Sequence, residues 1–220
     1  MKEKVFKKSK SEKRGLKLLD MNYKNILSVG ISTGGSAEIM MAKICPNAKI
    51  IATTIDEKGL KFSNEQILKY ELNQQIETKI EDISKKTNYE NNYFDFVYAR
   101  LVLHYLDKKQ LEDALCEIYR ILKPEGKFFI VARSKDEWEL KIPGAIINYD
   151  PETNLTTYHN QSNTIDKRQF LSKEEFCSQL EKYNFKILRS KAYKEYLYTD
   201  YQRTIRSKKA NSLIEIVVKK

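Results

Sequence analysis

Cysteine and long apolar runs are both scarce in this chain, and each scarcity removes a class of protein. The three cysteines, Cys45, Cys116 and Cys177, lie far apart with no C-x-x-C spacing, which argues against a disulfide-stapled scaffold and offers no thiolate zinc site. Reduced, partly buried thiols are expected. No apolar stretch approaches the roughly 18 residues that cross a bilayer, and the basic N-terminus is not followed by the apolar region of a signal peptide. A soluble, cytoplasmic chain without a membrane span is therefore expected. Its 220 residues suffice for one domain with a substantial core and a small insertion.

Charge is plentiful and unevenly spread. The formal net charge is +10, which attracts phosphates at long range and invites a nucleic-acid partner. Residues 1–24, however, hold nine Lys or Arg against Glu3, Glu12 and Asp20. Most of the excess thus belongs to a lysine-rich N-terminal tail, and the body from 25 to 220 is mixed in sign. A solvated tail running into a short helix over 11–20, with Leu16, Leu18 and Leu19 inward, is the expected form of residues 1–24.

Beyond the tail, short β-rich runs at 25–29, 49–54, 77–80, 94–98 and 127–132 alternate with stretches of helical spacing at 34–45, 57–72 and 108–122. Leu111, Leu115, Ile118 and Leu122 recur at three- or four-residue steps, the stripe of a helix facing a core. Such alternation implies parallel strands joined by right-handed crossovers, with helices on both faces of the sheet. From residue 133 to 168 the sequence turns polar and turn-rich, which predicts an insertion with a small hairpin. A capping box, Ser172 with Glu175, then opens a helix over 172–183. Two strands follow, over 185–188 and 213–218, joined by a tyrosine-rich stretch at 193–201.

Only seven glycines are present, and three of them, Gly30, Gly34 and Gly35, share one turn between the first strand and the first long helix. Glycines there let the backbone approach a ligand, the helix start offers unpaired N–H groups, and Asp56 at the tip of the next strand can accept from two ribose hydroxyls. On its own the turn fits a dinucleotide fingerprint as well as it fits the Gly30-x-Ser32-x-Gly34 pattern of an S-adenosylmethionine site.

The segment Tyr93-Phe94-Asp95-Phe96-Val97-Tyr98-Ala99-Arg100-Leu101-Val102-Leu103-His104-Tyr105-Leu106, followed by Glu117-Ile118-Tyr119-Arg120-Ile121-Leu122-Lys123-Pro124-Glu125-Gly126, resembles the class I S-adenosylmethionine-dependent methyltransferases. The resemblance is to the small-molecule group related to the quinone-pathway methylases, and it runs from about residue 26 to 218. Arg168-Gln169-Phe170-Leu171-Ser172 and Tyr183-Asn184-Phe185 are similar to that group as well. The resemblance implies a Rossmann-like α/β fold: a seven-stranded, mostly parallel sheet whose last strand, 213–218, runs antiparallel between its neighbours, with the insertion after the fifth strand.

It also implies a cofactor, S-adenosylmethionine, released as S-adenosylhomocysteine, and roles for single residues. Gly30, Ser32 and Gly34 would wrap its methionine part, Asp56 its ribose, Asp82 and the Ile83 backbone its adenine, and Ala99 would lie beside the sulfonium. Ser32 stands where the family usually has glycine, at a cost of about 1 to 2 kcal/mol if the backbone there is left-handed. His104 is the candidate proton acceptor. Arg100, Arg133, Trp138, Tyr158, His159 and Tyr198 are candidates to line the pocket of a small-molecule acceptor, methylated on O, N or C, and an inward-facing Arg100 and Arg133 would favour an anion. Two other readings stand beside this one: a tRNA or rRNA methyltransferase, prompted by the basic tail, and a non-catalytic S-adenosylmethionine-binding protein, prompted by Ser32.

Overall fold

The computed structural model describes residues 8–31, 33–200 and 203–220, so the expectations placed on Ser32 and on residues 1–7 lie outside the described residues. The chain runs α1 (Lys10–Leu16), β1 (Asn25–Val29), α2 (Ser36–Ile44), β2 (Lys49–Thr54), α3 (Glu57–Lys69), β3 (Ile76–Ile80), β4 (Phe94–Arg100), α4 (Lys108–Ile121) and β5 (Leu122–Arg133). It continues through β6 (Ile146–Asp150), β7 (Leu155–His159), β8 (Ile165–Gln169), α5 (Lys173–Lys182), β9 (Lys186–Glu195) and β10 (Asn211–Lys219).

Seven strands form one sheet in the order β3-β2-β1-β4-β5-β10-β9. β1 pairs parallel with β2 on one side and β4 on the other, and β10 runs antiparallel between β5 and β9, as the resemblance implies. Strand alternation divides the core in two. Leu27, Val97, Phe128 and Ile216 pack against Leu111 and Leu115 of α4 and Phe176 of α5. Ile26, Phe96, Tyr98 and Phe129 face the opposite way, against Leu16 of α1, Met41 of α2 and Ile67 of α3. Both helical layers are thus built from the period-2 and period-3.6 patterns of the sequence.

Three expectations are corrected. The insertion is a three-stranded antiparallel sheet, β6-β7-β8, with more pairing than a hairpin. β9 continues well past residue 188 because it pairs along almost the whole of β10, and so it takes Tyr193 out of the connection. Cys116 is exposed on α4, whereas Cys45 is buried and Cys177 is half-buried. Among the described residues no helix is long and apolar enough to cross a membrane.

The N-terminal segment departs furthest from a solvated tail. The carboxylate of Glu195 on β9 accepts from the backbone N–H of Lys10 and from that of Ser11, at 3.1 Å for the latter. The fully buried Glu215 of β10 holds Arg14 at 2.6 Å, and Arg14 lies 4.4 Å over the Tyr193 ring. Ser9 caps α1 through the Glu12 N–H. Closest of all is Gly15: a Cβ there would stand 2.6 Å from Phe129 and 2.7 Å from Tyr98, so the absence of a side chain lets the helix lie flat on the sheet.

Alanine favours a helix by about 1 kcal/mol over glycine, yet here it must displace two buried rings. Gly15→Ala is therefore expected to lower stability by about 1 to 3 kcal/mol. Thermal unfolding checks this, and a melting temperature at or above that of the parent would contradict the flat packing of α1.

Candidate functional site

Where the strand order reverses, between β1 and β4, the connections leave the carboxyl ends of the strands in opposite directions and open a crevice. Gly30 makes the first departure. Its φ is 72°, and a Cβ there would approach Val102 to 2.8 Å, so both conformation and space demand glycine. Gly34 and Gly35 are left-handed as well, with φ of 68° and 66°, as the chain turns into α2. On the β4 side Leu101 carries φ of 60°, a left-handed leucine whose strain of about 1 to 2 kcal/mol is held by its N–H donating to the Val131 carbonyl at 2.7 Å.

The crevice contains a cavity of about 470 Å³, within the range of small-molecule and cofactor sites. Gly30, Gly34, Asp56, Asp82 and Ile83, the residues to which the resemblance gives cofactor roles, line it. Asp56 is exposed, caps α3 by accepting from the Lys58 N–H at 3.1 Å, and donates its own N–H to Thr54 Oγ1. Asp82 starts a turn, accepting from the Ser84 N–H at 3.0 Å and its hydroxyl at 2.7 Å. Both carboxylates therefore combine a local structural task with a position on the cavity wall. Glu81 beside it accepts from the Tyr89 hydroxyl at 2.7 Å.

Ala99 is a correction. Strand alternation turns its side chain to the α4 side, where it is fully buried in the core, and its neighbours Tyr98 and Arg100 reach the cavity instead. Arg100 donates from Nε to Ser11 Oγ at 2.9 Å, so it belongs to this cavity and not to a separate acceptor pocket.

The opposite end of the wall was not foreseen. Ser9 and Glu12 of α1, Tyr98 of β4 and Arg203 of the β9–β10 connection all line the cavity. Glu12 is fully buried, accepts from Ser36 Oγ at 2.8 Å, and pairs with Arg203 at 2.6 Å. The Tyr98 hydroxyl is buried with no hydrogen-bond partner among the described residues. Burial pushes this phenol well above its ordinary pKa, with Arg100 opposing and Glu12 and Glu38 adding to the rise, so it remains an O–H donor. Among the described lining residues four are carboxylates, Glu12, Asp56, Glu81 and Asp82, and two are guanidiniums, Arg100 and Arg203. An orphaned buried donor and an excess of acid fit S-adenosylmethionine, which carries a sulfonium, an ammonium and one carboxylate.

A second cavity of about 350 Å³ adjoins the first, and Leu101, Tyr105, Leu197 and Tyr198 line both. His104 and Arg133, two of the predicted residues, stand in its wall with Glu139, Asp166 and Arg168. Arg133 is met by Glu139 at 2.6 Å and Glu137 at 3.5 Å. Arg168 is met by Asp166 at 2.7 Å and donates to the Tyr158 hydroxyl at 2.6 Å. Positive and negative groups thus balance in this wall, and it makes no anion trap. His104 is 5% exposed with an unpartnered Nδ1, and burial, then Arg168 and Arg133, hold its pKa well below the usual imidazole value.

Three predicted lining residues are placed elsewhere. Tyr158 is fully buried within the insertion, supporting Arg168 from behind. Trp138 packs under Lys209, 5.1 Å from its ring. His159 pairs opposite Ile165 in the small sheet. Tyr158 and His159 are adjacent on β7 and so face opposite ways, and Trp138 lies outside that strand, in the helical turn over Trp138–Lys141. Arg168, quoted only as the lead into a helix, is the cationic residue the insertion delivers.

Comparison with known proteins agrees with this geometry. Residues 27–130 match the methyltransferase domain family. A curated ubiquinone/menaquinone biosynthesis C-methyltransferase of Cupriavidus taiwanensis is 29% identical over 111 residues, covering 50% of this chain. The match spans only 43% of that relative's length. The solved structure of an S-adenosylmethionine-dependent methyltransferase from Methanosarcina mazei aligns with a TM-score of 0.72 at 18% identity, covering 92% of this chain and 94% of the other. A geranyl diphosphate methyltransferase solved with S-adenosylmethionine aligns at 0.66 with 12% identity, covering 94% and 83%. At such identities the structures speak for the fold alone. Residues 27–130 thus carry the methyltransferase domain, and the described chain has the fold of the class I S-adenosylmethionine-dependent methyltransferases.

Proposed function

We propose that this protein transfers the methyl group of S-adenosylmethionine to an O, N or C atom of a small polar molecule. The observation that carries the reading is the pair of adjoining cavities, one acid-rich and one charge-balanced, with Leu101, Tyr105, Leu197 and Tyr198 on their common boundary. When bound, the cofactor supplies an electrophilic methyl on a sulfonium. The protein's part is alignment, and holding the nucleophile in line contributes on the order of 7 to 11 kcal/mol in well-ordered cases.

In this reading Asp56 holds the ribose, Asp82 with the Ile83 backbone meets the adenine, and the Gly30 to Gly34 turn faces the methionine part. The second cavity, at about 350 Å³, suits a metabolite-sized acceptor. Its arginines are matched by Glu139 and Asp166, which favours a polar acceptor of little net charge over the anion suggested by the arginines alone. His104 stands in the same wall, held neutral by burial, Arg168 and Arg133, which suits it to accept a hydrogen bond from the acceptor molecule more than to carry its proton as an imidazolium. The insertion, residues 133–168, closes this side and is the substrate-side element.

Transfer of labelled methyl to a pool of small metabolites, run beside bulk RNA, tests the proposal, and label in RNA alone would overturn it. Asp56→Ser keeps an N-cap acceptor on α3 while removing the charge. It is expected to weaken S-adenosylmethionine at least about tenfold, the loss of a charge-assisted bond, with thermal stability nearly unchanged; equal affinity would remove Asp56 from the site.

The low pKa of His104 also fixes a sign. The unfolded chain takes up this proton near pH 6.5 and the folded chain does so only well below that, so the folded state is favoured above about pH 6.5 and loses ground as pH falls toward the folded pKa. His104→Gln is expected to flatten the acid limb of stability between about pH 6.5 and 5. Parallel melting curves across that range would show it, and unchanged curves would mean that the imidazole protonates freely in place.

A further inference from the structure

Among the described residues, the end of the cofactor cavity nearest the start of α2 holds both charges and a donor left over. Glu12 is tied to that end by Ser36, the first residue of α2, two positions beyond Gly34. Arg203 is brought to it by Glu12 at 2.6 Å, and both side chains are almost wholly removed from solvent. The Tyr98 hydroxyl is buried there without a partner, and the charged groups acting on it are Arg100, Glu12, Glu38 and Arg203. Burial of an unmet hydroxyl is unfavourable, and it lies on a cavity wall, so a ligand group is the natural partner.

We propose that Glu12, Tyr98 and Arg203 form the recognition site for the free amino-acid end of S-adenosylmethionine. Glu12 accepts from its ammonium, and the Arg203 guanidinium with the Tyr98 hydroxyl donates to its carboxylate. The zwitterion is the one part of the ligand that needs an acid and a base side by side, and an ion pair already set at 2.6 Å presents both. A guanidinium has five N–H donors in a fixed fork, so bonding to Glu12 is compatible with taking a second carboxylate. Two of the three residues, Glu12 and Arg203, lie outside the 27–130 family match, on α1 and on the β9–β10 connection. Binding of the amino-acid end would therefore engage two segments that the Glu12–Arg203 pair already holds together at the cavity wall. The inference rests on S-adenosylmethionine being the ligand of this cavity.

The test compares S-adenosylhomocysteine, which carries the amino-acid end, with 5′-methylthioadenosine, which lacks it, by calorimetry on the full chain. The parent protein is expected to prefer S-adenosylhomocysteine strongly. Tyr98→Phe and Arg203→Lys are each expected to weaken S-adenosylhomocysteine roughly ten- to hundredfold, the worth of hydrogen bonds to charged groups, while 5′-methylthioadenosine stays within about twofold. Because the hydroxyl has no partner in the ligand-free chain, Tyr98→Phe is also expected to hold or raise the ligand-free melting temperature. A merely structural role would instead lower that temperature and weaken both ligands together, which would overturn the proposal. So would a parent protein that binds the two ligands equally, a result that leaves the cofactor assignment standing. A parent that binds neither overturns the cofactor assignment as well.

Discussion

The contact between Gly30 and Val102 is the constraint on which the site depends. β1 and β4 are neighbours in the sheet, with Val29 beside Ala99, and both chains must turn sharply where the pairing stops. With a Cβ at residue 30 the two turns would collide at 2.8 Å. Removing that atom allows Gly30 to swing one way into α2 and Leu101 to swing the other way, each with positive φ. The gap between them is the cofactor cavity, and Leu101, strained as it is, becomes part of the boundary with the second cavity. Strain of this kind persists only where surrounding structure fixes it, and here the Val131 carbonyl supplies that fix.

A second set of contacts completes the cavity from outside the sheet's first half. α1 has only two turns and little helical stability of its own. It is held by Glu195 at its N-terminal N–H groups, by Glu215 through Arg14, and by the fit of Gly15 against Phe129 and Tyr98. All of these partners except Tyr98 come from β5, β9 and β10, the strands laid down last, apart from β5, in chain order. The segment that begins the described chain is thus fixed by the segment that ends it, and Glu12 is carried to the cavity wall as a result.

Local sequence signals made the first half of this arrangement legible and left the second half hidden. The glycine turn and Asp56 are marked by local pattern, Asp82 and Ile83 by the family resemblance, and all of them lie on the cavity wall at the ends of parallel strands. Glu12 and Arg203 pair across 191 residues, and nothing local marks either of them: one is a lone acid among lysines, the other lies in a polar connection. Ala99 was misplaced because strand position was legible and strand phase at its end was not. In the insertion, residue types were a poor guide because β7 turns Tyr158 inward, where its value is to support Arg168. An inward-facing Arg100 and Arg133 would likewise have favoured an anionic acceptor, and only the geometry shows Arg133 already met by Glu139 and Arg100 turned to Ser11 on the cofactor side.

The distribution of charge ties these parts together. A chain with a net charge of +10 builds its main cavity with four carboxylates and two guanidiniums among the described lining residues. Neutral donors hold each of those acids: the Lys58 N–H for Asp56, Ser84 for Asp82, Ser36 for Glu12, the Tyr89 phenol for Glu81. Cations meet three of them as well, Lys79 at 2.7 Å from Glu81, Lys85 at 3.8 Å from Asp82 and Arg203 at 2.6 Å from Glu12. The lining is thus rich in carboxylate acceptors held in place by both kinds of partner. A lining rich in acceptors suits a ligand that brings a sulfonium and an ammonium, so a basic chain and an acid-lined S-adenosylmethionine cavity are consistent with each other.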